Sequence, residues 1–128
     1  MSSIQISTGA AMEFSREHKI QKKVHDFRLE RERQLDPIYS EMSRLQGQVN
    51  EKQNEFDRVT NQIISMQNSG ASGNDVQNKR NQRECIRNEL NVLRDRRNNR
   101  EQELSHRRQE IDRHSRILMD KLHRGEAV

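Results

Sequence analysis

The chain has 128 residues, of which 29% are hydrophobic, 3% aromatic and 34% charged, and its formal net charge is +4. So small an apolar fraction cannot offset the chain entropy of a compact globule of this length. A disordered polar chain and long helices burying a narrow seam remain, and abundant Arg, Glu, Gln and Leu with a single Pro select the helices.

Residues 1–12 are small and polar without periodicity, which predicts a flexible arm. Helix is expected to start between Thr8 and Ser15, both residue types that cap N-termini. The opening MSSIQISTGAAMEF has no charged segment followed by an apolar core, so it does not read as a secretory signal.

The first predicted arm covers 13–66. Leu35, Ile38, Met42, Leu45, Val49, Lys52, Phe56, Val59, Ile63 and Met66 follow a strict 3-4 spacing. All but Lys52 are apolar, so they form one helical stripe suited to left-handed supercoiling. Upstream, Ile20, Val24 and Phe27 extend the stripe, and a 4-4 step through Arg31 makes a local eleven-residue phase before Leu35. Pro37 lacks a backbone donor and crowds the preceding turn, so a kink or short break is expected at 33–37, with Asp36-Pro37 as a cap and first helical residue.

Gln67 to Asp75, QNSGASGND, predicts the tip of a hairpin. Gly70 and Gly73 are expected to supply left-handed geometry, and Asn74 or Asp75 to cap the next helix. The second arm, 76–123, keeps a heptad frame: Val76, Lys79, Arg83, Ile86, Leu90, Leu93, Arg97, Arg100, Leu104, Arg107, Ile111, His114, Leu118 and Lys121. Half of these slots are apolar, and most of the others are basic. Glu103–Arg107, Asp112–Arg116 and Asp120–Arg124 have the favoured acid-first i,i+4 order. Residues 124–128 read as a tail. Charge divides unevenly: residues 1–75 hold 10 Lys+Arg against 11 Asp+Glu, and residues 76–128 hold 14 against 9.

The expected architecture is all-α, a long antiparallel two-helix coiled-coil hairpin, each arm about 75 Å long at about 1.5 Å per residue. Folding about residue 71 brings Met66 to Val76, Phe56 to Ile86, Val49 to Leu93, Ile38 to Leu104 and Val24 to Leu118. Other layers set apolar against basic: Ile63 on Lys79, Val59 on Arg83, and Leu45, Met42 and Leu35 on Arg97, Arg100 and Arg107. Basic side chains can lay their methylene stems over such a seam, but this many mismatched layers predict a partly uncovered stripe and further helices from an oligomer or complex.

Chemistry is sparse. No Gly-rich phosphate loop, paired-carboxylate pocket, nucleophile elbow or Cys cluster occurs, so neither enzymatic activity nor a cofactor or small-molecule substrate is expected. His18, His25 and His123 fall on outward positions, so no metal site is expected with His114 in the seam. Cys85, the single cysteine, lies on an outward position without a base or pocket and rules out an internal disulfide. No apolar run reaches the roughly 20 residues of a membrane span. An intracellular setting is expected, cytoplasmic ahead of nuclear.

The predicted role is a structural or adaptor subunit of a larger assembly, acting by helix docking. Leu35, Met42, Leu45, Val59 and Ile63 would supply area; Arg83, Arg97, Arg100 and Arg107 would fix register against acidic residues of a partner helix. The alternative is a basic coiled coil that binds an acidic polymer, a microtubule surface or nucleic acid.

The hairpin layout resembles the stalk proteins of flagellar and type III secretion export ATPases, in plan and without a shared motif, which implies a stalk or escort role. IQISTG near the start and the Asp36-Pro37 step resemble the tubulin-binding cofactor A family. That family's three-helix bundle has a turn before its Asp-Pro step, and no loop residues stand there in this sequence. The chain is assigned to neither family.

Overall fold

The computed structural model describes residues 8–126, and residues 1–7 of the expected N-terminal arm lie outside them. The described residues are all-α, with no strand among them. Helix α1 spans Thr8–Arg33, α2 Asp36–Asn68 and α3 Gly73–His123. Helix thus begins at the early end of the expected range, and residues 8–12 are helical.

The interruption at Pro37 is a two-residue turn, Gln34-Leu35. The Gln34 and Leu35 amides donate to the carbonyls of Arg31 and Glu32 at 3.2 and 3.0 Å, a tightened last turn that ends α1. Asp36 and Pro37 then open α2, where the missing N–H costs nothing and the acid faces the positive helix end. The kink or short break expected at 33–37 is thus a short break, and the Asp-Pro step does have a turn before it although no Gly or Asn stands there.

The tip is shorter than expected, residues 69–72 rather than 67–75. The Ala71 amide donates to the Met66 carbonyl (2.9 Å) and the Gly70 amide to the Gln67 carbonyl (3.3 Å), with Gly70 at φ 74°. These are the paired bonds of a Schellman ending, and Met66 and Ala71, at its two apolar positions, both pack against the core near the tip. Gly73 is not left-handed; it is the first residue of α3. Ser72, rather than Asn74 or Asp75, caps α3: its hydroxyl accepts from the Asp75 amide at 3.2 Å. A second Schellman ending closes α3 at Gly125, φ 77°, where the Glu126 amide reaches the Lys121 carbonyl at 2.9 Å.

The chain forms two compact units. One combines the described residues up to 36 with those from 105 onward, so α1 packs antiparallel on the last part of α3. Ile20, Val24 and Leu35 are buried there with Ile111 and Ser115. Arg28 reaches Asp112 at 2.7 Å, Glu17 reaches His123 at 2.7 Å, and Arg16 donates to the Leu122 and His123 carbonyls at 3.1 and 2.6 Å. The Leu122 carbonyl also accepts from the Gly125 amide of the Schellman ending at 3.1 Å, so Arg16 reinforces that ending from α1 and adds a donor for the His123 carbonyl.

The other unit comprises residues 37–104, in which α2 packs antiparallel on the first part of α3. Val59, Ile63, Val76 and Ile86 form its core near the tip, with Phe56, Met66 and Ala71 against them. Ile38, Leu45, Val49, Leu90 and Leu104 continue the buried seam. Cross-helix contacts follow the expected register: Gln62 with Lys79, Lys52 with Glu89, and Glu41 with Arg100.

The seam frame of α3 departs from expectation beyond Ile111. His114 is exposed, and Ser115 is buried in its place at 3% exposure. The buried row then reads Leu104, Ile111, Ser115, so eleven residues separate Leu104 from Ser115. Val24 on α1 and Leu35 in the turn that follows it are also eleven apart. Each helix carries an eleven-residue phase in its own sequence, and the expected 3-4 frame of α3 missed one because its marker is a serine.

Candidate interaction surface

The apolar residues expected to offer docking area are consumed inside the chain. Leu45 is 1% exposed, and Leu35, Val59 and Ile63 are equally buried; only Met42 is half-buried. The mismatched layers are closed, so the partly uncovered stripe is absent. Basic heads leave the seam sideways for α2: Lys79 to Gln62 at 3.2 Å, Arg97 to Gln46 at 2.8 Å, Arg100 to Glu41 at 2.9 Å. The stems stay behind over the apolar row, which suffices because each covers a single layer.

The four arginines expected to select a partner separate. Arg83 and Arg97 are half-buried and lie toward one flank of the α2–α3 pair; Arg100 turns to the other. Arg107 is exposed and belongs to the other unit.

The two flanks of the α2–α3 pair differ in charge. On one, α2 presents Glu41, Gln48, Glu55 and Gln62, and α3 presents Gln82, Glu89, Arg96 and Glu103. This flank neutralises itself. Lys52 pairs with Glu89 at 2.5 Å and Glu55 at 3.2 Å, and Arg100 with Glu41 at 2.9 Å and Glu103 at 2.6 Å. The carboxylates beside Lys52, Glu89 first, hold its ammonium above its ordinary value, and Glu103 and Glu41 do the same for Arg100. A shallow groove of about 520 Å³ runs here between Gln48, Lys52, Glu89, Val92 and Arg96.

On the other flank α3 presents Arg80, Arg87 and Arg94, seven residues apart, beside Arg83 and Arg97 in the seam; Glu101 ends the row. The facing wall of α2 is Tyr39, Gln46, Gln53 and Thr60, without a carboxylate. Arg94 donates to Gln53 at 2.7 Å and Arg97 to Gln46 at 2.8 Å. The Arg87 guanidinium sits 5.5 Å from the Phe56 ring centre and 3.4 Å from Glu84 on its own helix. Asp57 borders the wall and accepts from Gln53. Arginines on this flank are therefore held mainly by neutral acceptors and an aromatic face, which position the guanidinium without cancelling its charge.

Sequence reasoning singled out Arg83 and Arg97 and missed the Arg80–Arg87–Arg94 row. The row was legible as an arginine at every seventh position next to the seam, a signal hidden among many other arginines.

Cys85 is exposed, and among the described residues no cluster of three or more His, Cys, Asp or Glu is placed to hold a metal ion. His123 pairs with Glu17 across α1 and α3, although its heptad position had read as outward. Asp112, expected to pair with Arg116, is taken up by Arg28, and Arg124 pairs with Glu126 at 3.4 Å. Among the described residues no helix is long and apolar enough to cross a membrane. No protein-family model matches the chain, and neither a curated protein nor a solved structure does.

Proposed function

We propose that this chain is a non-enzymatic coiled-coil subunit, a scaffold or adaptor within an intracellular assembly, that acts by docking its helices against a helix of another protein. The observation that supports this most directly is the inequality of the two α2–α3 flanks: one is closed by its own ion pairs, the other carries arginines without cross-helix carboxylates. A seam sealed within the chain leaves the outer flanks as the surfaces that meet other molecules. The docking set thus shifts from Leu35, Leu45, Val59 and Ile63 to side chains beside the seam.

The test is isolation of the tagged chain from its own cells at about 0.15 and about 0.5 M salt, followed by sedimentation and identification of what accompanies it. A complex of defined stoichiometry that survives the higher salt is the expected result. A chain that sediments alone at both salt concentrations rejects the reading.

The arginine row favours a second reading, binding of an acidic polymer such as nucleic acid or a microtubule surface. Such binding collapses between about 50 and about 200 mM salt, which separates it from docking with an apolar component.

A further inference from the structure

We infer that the arginine flank of the α2–α3 unit is the docking site for an acidic amphipathic helix of a partner protein, laid along the groove between Arg80 and Arg97. The inference rests on the helix-docking reading above and names its surface and partner chemistry.

Spacing is the first argument. Arg80, Arg87 and Arg94 recur every seven residues, so successive guanidiniums rise by about 10.5 Å along the helix. Screening in cells acts over about 8 Å. The arginines therefore act nearly independently of one another, Arg87 sharing its charge with Glu84 of its own helix, and a partner gains most by bringing a separate carboxylate to each. A helix with Glu or Asp at seven-residue intervals repeats at the same about 10.5 Å and stays in step along the row.

A nucleic-acid duplex does not stay in step. Phosphates along one strand rise by about 3.4 Å, so every third one matches the arginine spacing. Three base pairs also turn the strand through nearly a third of a revolution, at about 10 base pairs per turn. The strand leaves a straight row after one contact.

The opposite wall is the second argument. It offers amides and apolar surface: Gln46, Gln53 and Thr60, with Ile64 at 49% exposure just outside them. The Thr60 hydroxyl is buried and has no hydrogen-bond partner among the described residues. Ile64 gives apolar side chains of an arriving helix a contact that phosphate cannot use. A second copy of this chain is disfavoured by charge, since its carboxylates at Glu41, Glu55, Glu89 and Glu103 are already engaged on the opposite flank.

Preorganisation is the third. Arg87, Arg94 and Arg97 are already held by Phe56, Gln53 and Gln46, so less side-chain freedom is lost on binding.

The experiment uses the full chain and a synthetic helix of about four heptads carrying Leu and Glu at matched seven-residue intervals, with a Gln-for-Glu version and a DNA duplex as comparators. Binding is read by fluorescence anisotropy at about 0.15 M salt. The Glu helix is expected to bind at least about tenfold more tightly than the Gln helix. Arg80→Glu, which breaks no hydrogen bond or ion pair among the described residues, and Arg87→Gln/Arg94→Gln should each weaken it by about tenfold. Arg96→Glu on the other flank should leave it unchanged.

Circular dichroism establishes that each variant is folded, and Arg80→Glu keeps the test decisive where the double variant is not. Equal loss with Arg96→Glu, tighter binding of the duplex than of the Glu helix, or no difference between the Glu and Gln helices overturns the inference. Should the native complex survive while Arg80→Glu has no effect, helix docking stands and this flank is not its site.

Discussion

Leu45→Ala is the sharpest probe of a seam sealed within one chain. Leu45 is 1% exposed, midway along α2, with its neighbour Gln46 bound to Arg97. The substitution removes three carbons, worth about 2.5 kcal/mol in transfer free energy. A residual cavity adds to this, but the opposite wall includes a flexible basic stem that can settle into the gap. The expected total is about 3 kcal/mol, toward the lower part of the range for buried Leu→Ala changes. For a chain of this size that lowers the thermal midpoint by roughly 10 °C. Helical circular dichroism followed through thermal and urea denaturation measures it. Val92→Ala, at 49% exposure, is the control and should cost under about 0.5 kcal/mol. The loss at Leu45 should be the same at low and high protein concentration, because no second copy completes the seam. A loss equal to that of Val92→Ala, or one that appears only at high concentration, refutes the argument.

Two glycines with open space around them should respond oppositely to alanine. Gly70→Ala forces a side chain onto a left-handed residue and should cost about 1 kcal/mol, whereas Gly47→Ala in mid-α2 should stabilise by a similar amount in the same denaturation assay. Ser115→Ala removes a buried hydroxyl that has no hydrogen-bond partner among the described residues and raises helix propensity, so the urea midpoint should rise, by about 1 kcal/mol in stability. Glu17 is held below its ordinary carboxylate value, first by Gln21 and then by His123. A depressed carboxylate lends its stability above the unfolded value and loses it as pH falls through the folded one. Amide protection at the ends of α1 and α3, taken relative to the intrinsic exchange rate at each pH, should therefore fall as the solution is acidified through that interval. Glu17→Gln should remove this pH-dependent component.

The heptad frames of the two arms determined the helices and their antiparallel register, and the segment QNSGASGND placed the tip, without reference to the fold. Local rules sufficed because each element satisfies its own backbone. The Asp36-Pro37 start and the glycine-rich tip also announced themselves, although the finer choices of cap did not: Ser72 was one of several polar residues whose side-chain oxygen could accept the capping bond, and competition among them is settled by where the helix begins. What the tertiary structure alone decided is the fate of the long basic side chains. A heptad wheel places Arg97 and Arg100 on one seam; it does not say that Arg97 turns to Gln46 and Arg100 to Glu41. Those turns depend on which residues the partner helix presents at the same level, a comparison across dozens of positions in the chain. They cover Leu45 and its neighbours, remove the apolar stripe from the accessible surface and leave one flank neutral and the other charged. The surface offered to a partner is thus set by pairs of residues brought together in the fold, whereas the helices that carry them are set by each segment alone.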